Sequence, residues 1–367
     1  MRTSSTASIA MVILLLACAV VASCSRTVVR RLECSYDAEA AAAAPKGEAS
    51  GHRGVVEALA FTRDGTRIVS SGRGGRVLLW DLKTGHPREV LPERGGSSAI
   101  AFAENQQALA LAVEGQGDLG LFDLRRGEER GAIPGGAQEG LRPFPGHAFS
   151  HGGALLAFAG EGEVTLWNIK VGQAEQEIDV PGAGIGDLCF SPDDELLATA
   201  GHDGAVRLWS TETGEQTDAI EPHAGAPVRA VDFSAEGDRI VTASADGQVA
   251  ITDVSGGAPT LELDECRVDG VAVGPLRYSP SGKAIFGVKR EECDTQFVCV
   301  WDAEDGRAVA AFEVPVSNAI DFSADGTMMA TGGCGCEIIL WDLVAGMPIG
   351  QLGASCRLEV DAGDLCD

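Results

Sequence analysis

The feature that most constrains this chain is a tryptophan mark that recurs at a nearly fixed interval. All five Trp occupy one phase of the repeat, and Phe122 and Thr252 fill the two remaining positions: Trp80, Trp167, Trp209, Trp301 and Trp341. The successive intervals are 42, 45, 42, 43, 49 and 40 residues. A period in this range is typical of architectures built from one supersecondary unit, which buries its apolar face only by stacking against its neighbours.

A second mark precedes each of these positions by 18 to 23 residues. It is an aromatic residue, usually followed by Ser or Thr and a turn, and it occurs at Phe61, Phe102, Phe149, Phe190, Phe233, Tyr278 and Phe322. Between the two marks lie short β-branched runs such as 239–244 and hairpin signals such as Asp246-Gly247. The pattern predicts an all-β chain with four short antiparallel strands in each unit.

The composition narrows the functional classes. The 45% apolar content supports a large core, and 48 Gly fit a chain with many tight turns. The formal charge of −26 argues against nucleic acid as a partner, because phosphate binding depends on Lys and Arg. No P-loop, dinucleotide fingerprint or nucleophile elbow is present in the sequence, so no catalytic residue and no cofactor is predicted.

The N-terminus predicts export. Residues 1–24 have one Arg, an apolar run and a small-residue site, which is the layout of a signal peptide. The sequence Val-Ala-Ser-Cys at its end resembles a bacterial lipobox, which would make Cys24 the lipidated residue; ordinary cleavage is the alternative. The Ala-rich stretch 25–50 is interpreted as a tether. We therefore expect a protein of the cell envelope, held to the outer membrane by lipid.

The repeated marks resemble those of the WD40 repeat family over residues 51–353. The resemblance rests on Gly51-His52, Asp203-Gly204, Asp246-Gly247 and the Trp-Asp pairs at 80–81, 301–302 and 341–342. It implies a seven-bladed WD40-type β-propeller with four antiparallel strands per blade. Combined with the N-terminus, it points to an exported bacterial lipoprotein of this family.

The resemblance also implies a hydrogen-bonded set of His, Ser or Thr, Asp and Trp that stiffens each blade. The residues at these positions are His52, Trp80, Trp167, Thr199, Asp203, Trp209, His223, Thr242, Asp246, Trp301 and Trp341. No blade has all four members; blade 5, for example, has Thr252 in place of Trp. Blade-to-blade packing is therefore expected to supply most of the stiffness.

The cysteines predict disulfides, because an exported chain meets an oxidising compartment. In a propeller, Cys266 and Cys293 fall in loops on one face, which makes a bridge between them reasonable. A second group flanks the meeting point of the last and first units, including the C-terminal tail 354–367: Cys34, Cys334, Cys336, Cys356 and Cys366. Cys189 is expected to be a buried free thiol. The Cys334-Gly335-Cys336 motif lacks the further ligands of a zinc site, so no metal is predicted.

The function expected from the sequence is a non-enzymatic scaffold that binds a protein or peptide at one face of the ring. The surplus of negative charge suggests a basic partner or simply serves solubility. By family resemblance, the contact candidates precede the turn between the second and third strands: Arg73, His202, Ala245 and Asp294. The alternative is an extracytoplasmic propeller enzyme of the metal-dependent hydrolase or lactonase type. That enzyme would carry its ligands at the channel mouth.

Overall fold

The computed structural model describes most of residues 51–353. Within that range it leaves out residues 53, 63, 73–75, 92–96, 103–107, 114–118, 124–127, 134–145, 161, 183, 256–258, 264–270, 280, 291–295, 316, 334–335 and 344. Contacts place residues 34–359 in one compact unit, which contains every described residue. The predicted signal peptide, the whole tether and the C-terminal tail lie outside the described part of the chain.

The described secondary structure is a succession of short strands, numbered in chain order. The first two groups of four are β1 Val56–Phe61, β2 Arg67–Gly72, β3 Val77–Asp81, β4 Pro87–Leu91, β5 Ser97–Phe102, β6 Ala108–Val113, β7 Leu119–Asp123 and β8 Glu128–Ile133. The next two are β9 His147–Phe149, β10 Leu155–Ala159, β11 Glu163–Asn168, β12 Gln173–Asp179, β13 Ile185–Phe190, β14 Leu196–Gly201, β15 Val206–Ser210 and β16 Gln216–Ile220. The remaining strands are β17 Val228–Phe233, β18 Arg239–Ser244, β19 Val249–Asp253, β20 Pro259–Glu262, β21 Val271–Tyr278, β22 Ala284–Arg290, β23 Gln296–Asp302, β24 Ala308–Val314, β25 Ser317–Phe322, β26 Met328–Gly333, β27 Ile338–Asp342 and β28 Met347–Leu352.

Each group of four forms one antiparallel sheet in which the strands pair in sequence order. The groups are called blades 1 to 7 below, counted from β1–β4. The first strands neighbour one another from blade to blade, and β1 contacts β25 of the last blade as well as β5. The first strand of each blade therefore lines the centre, while the fourth lies at the rim. The prediction of an all-β propeller with four antiparallel strands per blade agrees with this arrangement.

The expectation of a seven-bladed propeller needs correction. Packed side chains are described for six blades in unbroken succession, from blade 3 through blades 4, 5, 6 and 7 to blade 1. For the sheet of blade 2, β5–β8, the structure describes little beyond the backbone pairing. The described side chains therefore pack six blades together, and not the seven that the sequence predicted. The tryptophan period could not reveal this, because it counts sequence units and not packed interfaces.

The core lies between the blades. Apolar side chains of neighbouring sheets form one cluster at each described interface; between blades 4 and 5 the cluster joins Leu208 and Ile220 to Val231 and Ile240. Second strands such as β18 are buried along almost their whole length, because both of their faces meet a neighbour. The rim strand β12 instead alternates between exposed and partly buried residues. This gradient explains why a unit is stable only within the stack.

The aromatic marks end the first strands, and the hydroxyl that follows fixes the next turn. Leu196 N donates to Ser191 Oγ at 2.9 Å, and Met328 N donates to Ser323 Oγ at 2.9 Å. Each hydroxyl also donates to an Asp two residues later, at 2.6 Å in both turns. The Ser or Thr after the aromatic therefore satisfies backbone groups at the hairpin, in the manner of local side-chain turns.

Candidate functional site

Two kinds of loop share one face of the propeller: those between the second and third strands, and those that enter the next blade. In blade 4, His202 N donates to Gly184 O at 3.1 Å, which ties 202–205 to the loop entering that blade. In blade 5, Ala245 N donates to Pro227 O at 2.8 Å. We call the described loops of blades 4 and 5 on this side the contact face; it comprises 181–182, Gly184, 202–205, 221–227 and 245–248.

Close backbone approach joins the two halves of the contact face. Gly204 has φ +90°, and a Cβ atom placed there would lie 2.6 Å from the Cα of Gly225. Any side chain at Gly204 would therefore push the two loops apart. Next to Gly225, Ala224 holds a left-handed φ of 48°, and Ala226 N donates to His223 O at 2.9 Å. These contacts give the loop 221–227 one defined shape.

The predicted turn residue Asp203 is held by an ion pair at the surface of this face. Arg207 Nη2 lies 2.6 Å from Asp203 Oδ2, and Ala205 N donates to Asp203 Oδ1 at 3.2 Å. The hydrogen bond from Arg207 lowers the pKa of Asp203. Because Asp203 is exposed, the pair is worth little in stability; its effect is to orient the 202–205 turn.

Blade 1 contains the most complete buried polar set in the described residues. Ser70 Oγ lies 2.5 Å from His52 Nε2 and accepts the Trp80 indole N–H at 2.7 Å. Burial, reinforced by Arg76, lowers the pKa of His52 to about 3, so this imidazole is neutral at physiological pH. The family resemblance predicts His52 and Trp80 as members of this polar set, but it does not predict Ser70.

Blades 4, 5 and 7 keep parts of this set. The indole N–H of Trp209 donates to Thr199 Oγ1 at 3.0 Å, and that of Trp341 donates to Thr331 Oγ1 at the same distance. In blade 5, His223 Nε2 lies 2.9 Å from Thr242 Oγ1. The same blade places Asp246 in contact with Ser244 Oγ and within 3.2 Å of Gln248 N. Burial lowers the pKa of His223.

Blades 3, 5 and 6 show what happens where a member is missing. Phe158 occupies the hydroxyl position of blade 3, and the buried Nε1 of Trp167 has no hydrogen-bond partner. The hydroxyl of Thr252, where Trp was expected, is likewise buried and unpaired. In blade 6 the position is Gly287, where an added Cβ would lie 2.9 Å from the Trp301 ring. The indole itself therefore fills the space that a hydroxyl side chain would take.

The centre of the ring contains charged residues that were not predicted from the sequence as site residues. Asp187, Asp232 and Asp321 lie on the first strands of blades 4, 5 and 7, and each accepts a backbone N–H from the next blade. The donors are Val231 N at 3.2 Å, Tyr278 N at 2.8 Å and Phe61 N at 2.8 Å, respectively. These carboxylates therefore join neighbouring first strands along edges that no strand pairs.

Arg277 of blade 6 is the positive charge among them. It interacts electrostatically with Asp232, Asp187 and Asp321, in that order of strength, and its Nη1 donates to Leu276 O at 2.9 Å. Removal from water raises the pKa of Asp232 to about 6 and that of Asp321 to about 6, and it raises the pKa of Asp187 as well. Three carboxylates thus share one guanidinium. A sequence signal existed, because Asp232, Arg277 and Asp321 each directly precede an aromatic mark.

The other predicted site residues are only partly covered. His202 and Ala245 are partly exposed on the contact face, whereas Arg73 and Asp294 lie outside the described residues. Cys189 is a buried free cysteine, as predicted. Cys336 and the unpredicted Cys299 are disulfide-bonded. The candidates Cys24, Cys34, Cys266, Cys293, Cys334, Cys356 and Cys366 fall outside the described part, so the proposed pairings stay predictions.

The described residues were expected to hold no metal, and two of their features concern metal sites and membrane-spanning helices. No group of three or more His, Cys, Asp or Glu side chains in the described part of the chain has the arrangement of a metal site. Over those same residues, no helix has the length and apolar character needed to cross a bilayer.

Comparison with known families agrees with the geometry. A family model described as "Nucleolar protein 10-like, N-terminal domain", of the β-propeller type, matches residues 147–333, just over half of the chain. A second, described as "WD domain, G-beta repeat", matches residues 44–81. The chain belongs to the WD40-repeat β-propeller family.

The WD40 relatives described next are characterised proteins from eukaryotes. The chain is 29% identical over 285 residues to rat "Telomerase protein component 1", covering 76% of this chain and 10% of that protein. It is 23% identical over 325 residues to a potato "Guanine nucleotide-binding protein subunit beta", covering 79% of this chain and 81% of the other. This WD40 chain thus spans about a tenth of the telomerase proteins it matches. These relatives give no support to the expected bacterial lipoprotein type.

Proposed function

We propose that this chain is a non-enzymatic WD40 scaffold that binds a protein or peptide at the contact face of blades 4 and 5. The observation that carries the proposal is the interlocking of its loops through Gly204 and Gly225 and through Ala245 and Pro227. Loops fixed on a rigid scaffold are where binding residues concentrate. The similarity to a G-protein beta subunit supports the same class of function.

We also propose that the partner is basic where it meets this face. Glu221, Asp203 and Asp246 are exposed on the contact face, and the chain as a whole carries a charge of −26. Such a field speeds the approach of a positively charged protein and weakens as salt is added. Binding should therefore fall as ionic strength rises.

The experiment begins with crosslinking of the full chain in its native cells and identification of the captured protein by mass spectrometry. The purified partner is then titrated against Glu221→Lys, which reverses a charge on the contact face, and against Glu177→Lys, which makes the same change on the exposed rim strand β12. Binding should weaken at least tenfold with the first variant only. Equal binding by both variants would place the partner elsewhere and end the proposal.

A further proposal concerns location and rests on the sequence alone. Cys24 follows an apolar run and a small-residue site, so we propose that it is the lipidated first residue of an envelope protein. Several acyl chains would hold the protein to a bilayer, since each buried methylene contributes about 0.8 kcal/mol. Metabolic labelling with palmitate should mark the wild type and not Cys24→Ala. Label on both, or on neither, would overturn the proposal.

A further inference from the structure

In blades 1 and 5, a buried histidine fastens the chain that enters the blade to the second strand. His52 Nε2 lies 2.5 Å from Ser70 Oγ, and His223 Nε2 lies 2.9 Å from Thr242 Oγ1. Both imidazoles are buried. We call this contact the entry link, because it joins the segment before the first strand to the middle of the second.

Blade 6 cannot make the entry link in this form, because a glycine stands at the hydroxyl position. Gly287 pairs with the first strand at Leu276, which is the place that Thr242 takes in blade 5. A Cβ atom at Gly287 would lie 2.9 Å from the Trp301 ring. Blade 6 therefore has no side-chain acceptor at this position.

A bonded cysteine lies directly opposite this glycine. Cys299 pairs with Gly287 across β22 and β23, and residues paired in this way point their side chains to the same face of the sheet. Trp301, two residues further along the strand, shares that face. In blade 1 the hydroxyl of the entry link bonds to Trp80, so the link lies on the face of the tryptophan. Cys299 is fully buried in the cluster between blades 5 and 6, and it is disulfide-bonded. Its sulfur therefore lies on the face where blades 1 and 5 carry the entry link.

The sequence count puts Cys266 at the histidine position of blade 6. In blade 5, His223 follows Ile220, the last residue of β16, by three residues. Ile220 pairs with the first residue of β15, and Leu263 N donates to the carbonyl of the first residue of β19 at 2.9 Å. Leu263 is thus the equivalent of Ile220, and Cys266 follows it by three residues. Cys266 itself lies outside the described residues, so its assignment depends on this register.

The other cysteines fit the bond less well. Cys293 falls between β22 and β23 in 291–295, which lies outside the described residues. Arg290 and Gln296 close this hairpin, and Cys299 follows Gln296 by three residues. Three residues of strand span about 10 Å, whereas the Cα atoms of a disulfide are usually less than about 7 Å apart. A bond to Cys293 would therefore require its loop to fold back along the sheet. Blade 7, which holds the cysteines near the end of the ring, contributes no residue to the described cluster around Cys299.

We propose that Cys266 and Cys299 form a disulfide, which replaces the entry link of blade 6 with a covalent bond. The two thiols lose two protons and two electrons to an oxidant of the disulfide class, such as oxidised glutathione, whose own S–S bond breaks to give two thiols. The new bond closes the loop from 266 to 299 and holds the chain that enters blade 6 against the third strand of that blade. This site does not depend on the contact face or on its partner.

The test is a map of the disulfides in the full chain, purified from an oxidising compartment of an expression host. The protein is unfolded without reductant, its free thiols are alkylated with N-ethylmaleimide, and its proteolytic peptides are identified by mass spectrometry before and after reduction. We expect a linked pair of peptides that contains Cys266 and Cys299, and an alkylated Cys189, which is a free cysteine. A link from Cys299 to any other cysteine, or an alkylated Cys299, would overturn the proposal.

Two matched variants separate the bond from a packing effect. Cys266→Ser should leave Cys299 open to alkylation in the unfolded, unreduced protein and should lower the thermal midpoint by about 4 °C or more. Cys293→Ser makes the same change in the neighbouring hairpin, and should keep both the linked peptides and the wild-type midpoint. Once the disulfides are reduced with dithiothreitol, the wild type and Cys266→Ser should melt together. Release of Cys299 by Cys293→Ser, or a difference in midpoint that persists after reduction, would overturn the proposal.

Discussion

Blades 3 and 4 are neighbours built from the same unit, and they satisfy their buried polar groups very differently. In blade 4 the indole of Trp209 donates to Thr199, and Asp187 joins the blade to the first strand of blade 5. In blade 3 the indole N–H of Trp167 is buried without an acceptor. Its first strand, β9, has only three residues, and none of them is acidic. The two blades nevertheless share one apolar cluster.

The comparison teaches that the repeat fixes shape through apolar packing, while polar partnering varies from blade to blade. Buried polar groups with partners contribute modestly to stability, but a buried group left unpaired carries a penalty. The part of the ring that begins at blade 4 is therefore sensitive to changes in its polar residues. Blade 3 should tolerate them.

The largest effect is expected for Arg277→Met. This change leaves Asp187, Asp232 and Asp321 around the centre without the positive charge that interacts with all three. Removing one partner of buried charges costs about 3–5 kcal/mol, and access of water to these partly exposed groups reduces that to about 2–4 kcal/mol. The free energy of unfolding at pH 7.5, from urea titration, should fall by this amount.

Arg229→Met is the control for that variant, because Arg229 is also on a first strand, β17, but is exposed. Its effect should stay within about 0.5 kcal/mol. If the two variants were equally stable, the central charges would have no role in joining the blades. The contrast between blades 3 and 4 would then rest on the tryptophan hydrogen bonds alone.

The next effect concerns pH. Burial raises the pKa values of Asp232 and Asp321 to about 6, from a normal value of 3.8. The folded state therefore takes up protons that the unfolded state does not, and stability should rise as the pH falls from about 7 to about 4. Below that range it should decline, because hydrogen bonds from Thr62 lower the pKa of the turn residue Asp64 to about 2.

Unfolding free energies measured from pH 8 to pH 3 should show this maximum, with a rise of about 2 kcal/mol on its alkaline side. Asp232→Asn should reduce that rise. A stability that falls steadily on acidification from pH 8 would contradict the assigned direction of both pKa shifts.

Two matched substitutions compare the contributions of the Trp209 and Trp167 indoles to stability. Trp209→Phe removes a hydrogen-bonded N–H and part of a buried ring, and should cost about 2–3 kcal/mol. Trp167→Phe removes an N–H that has no acceptor, and should cost at least about 1 kcal/mol less. Chemical denaturation of both variants in parallel measures the difference. Equal losses would show that the two blades do not differ in the way their contacts indicate.

The smallest effect is expected where the two blades meet. Asp194 of blade 4 accepts His151 N at 2.6 Å and Gly152 N at 2.7 Å, both from blade 3. Its φ is 63°, a left-handed conformation that Asn tolerates better than Ala. Asp194→Ala should therefore lower the free energy of unfolding by about 1 kcal/mol, and Asp194→Asn by less. If thermal scans showed that Asp194→Asn is less stable than Asp194→Ala, this contact would not have the expected role in stability.

Periodicity predicted the strand class and the four-stranded units, because apolar spacing and turn residues act locally. The family was predicted from the resemblance of the repeated motifs to WD40 repeats. That resemblance also implied polar sets around the tryptophans, although it did not name Ser70, which completes the set of blade 1. It did not indicate that Phe158 leaves Trp167 unpaired, since that depends on which residue faces the indole across two strands. The predicted number of seven blades was wrong because the period counts units of sequence, whereas the described side chains pack six blades together.

The central charges were missed for a different reason. Asp232, Arg277 and Asp321 are 45 and 44 residues apart in sequence and come together only when the first strands meet around one axis. When the sequence is analysed one repeat unit at a time, each of these three residues looks like an isolated polar residue. His202 and Ala245 lie in turns whose residue types are set within a few positions, and their role as contacts stays a prediction.

The left-handed Ala224 has a consequence for association. A non-glycine residue held in that conformation costs of the order of 1–3 kcal/mol and persists only where its surroundings over-determine it. The loop that contains it has therefore lost its conformational entropy before any partner arrives. An incoming protein would meet a preorganised surface and be spared the ordering penalty of a flexible loop. For such a surface, affinity should depend mainly on the dissociation rate.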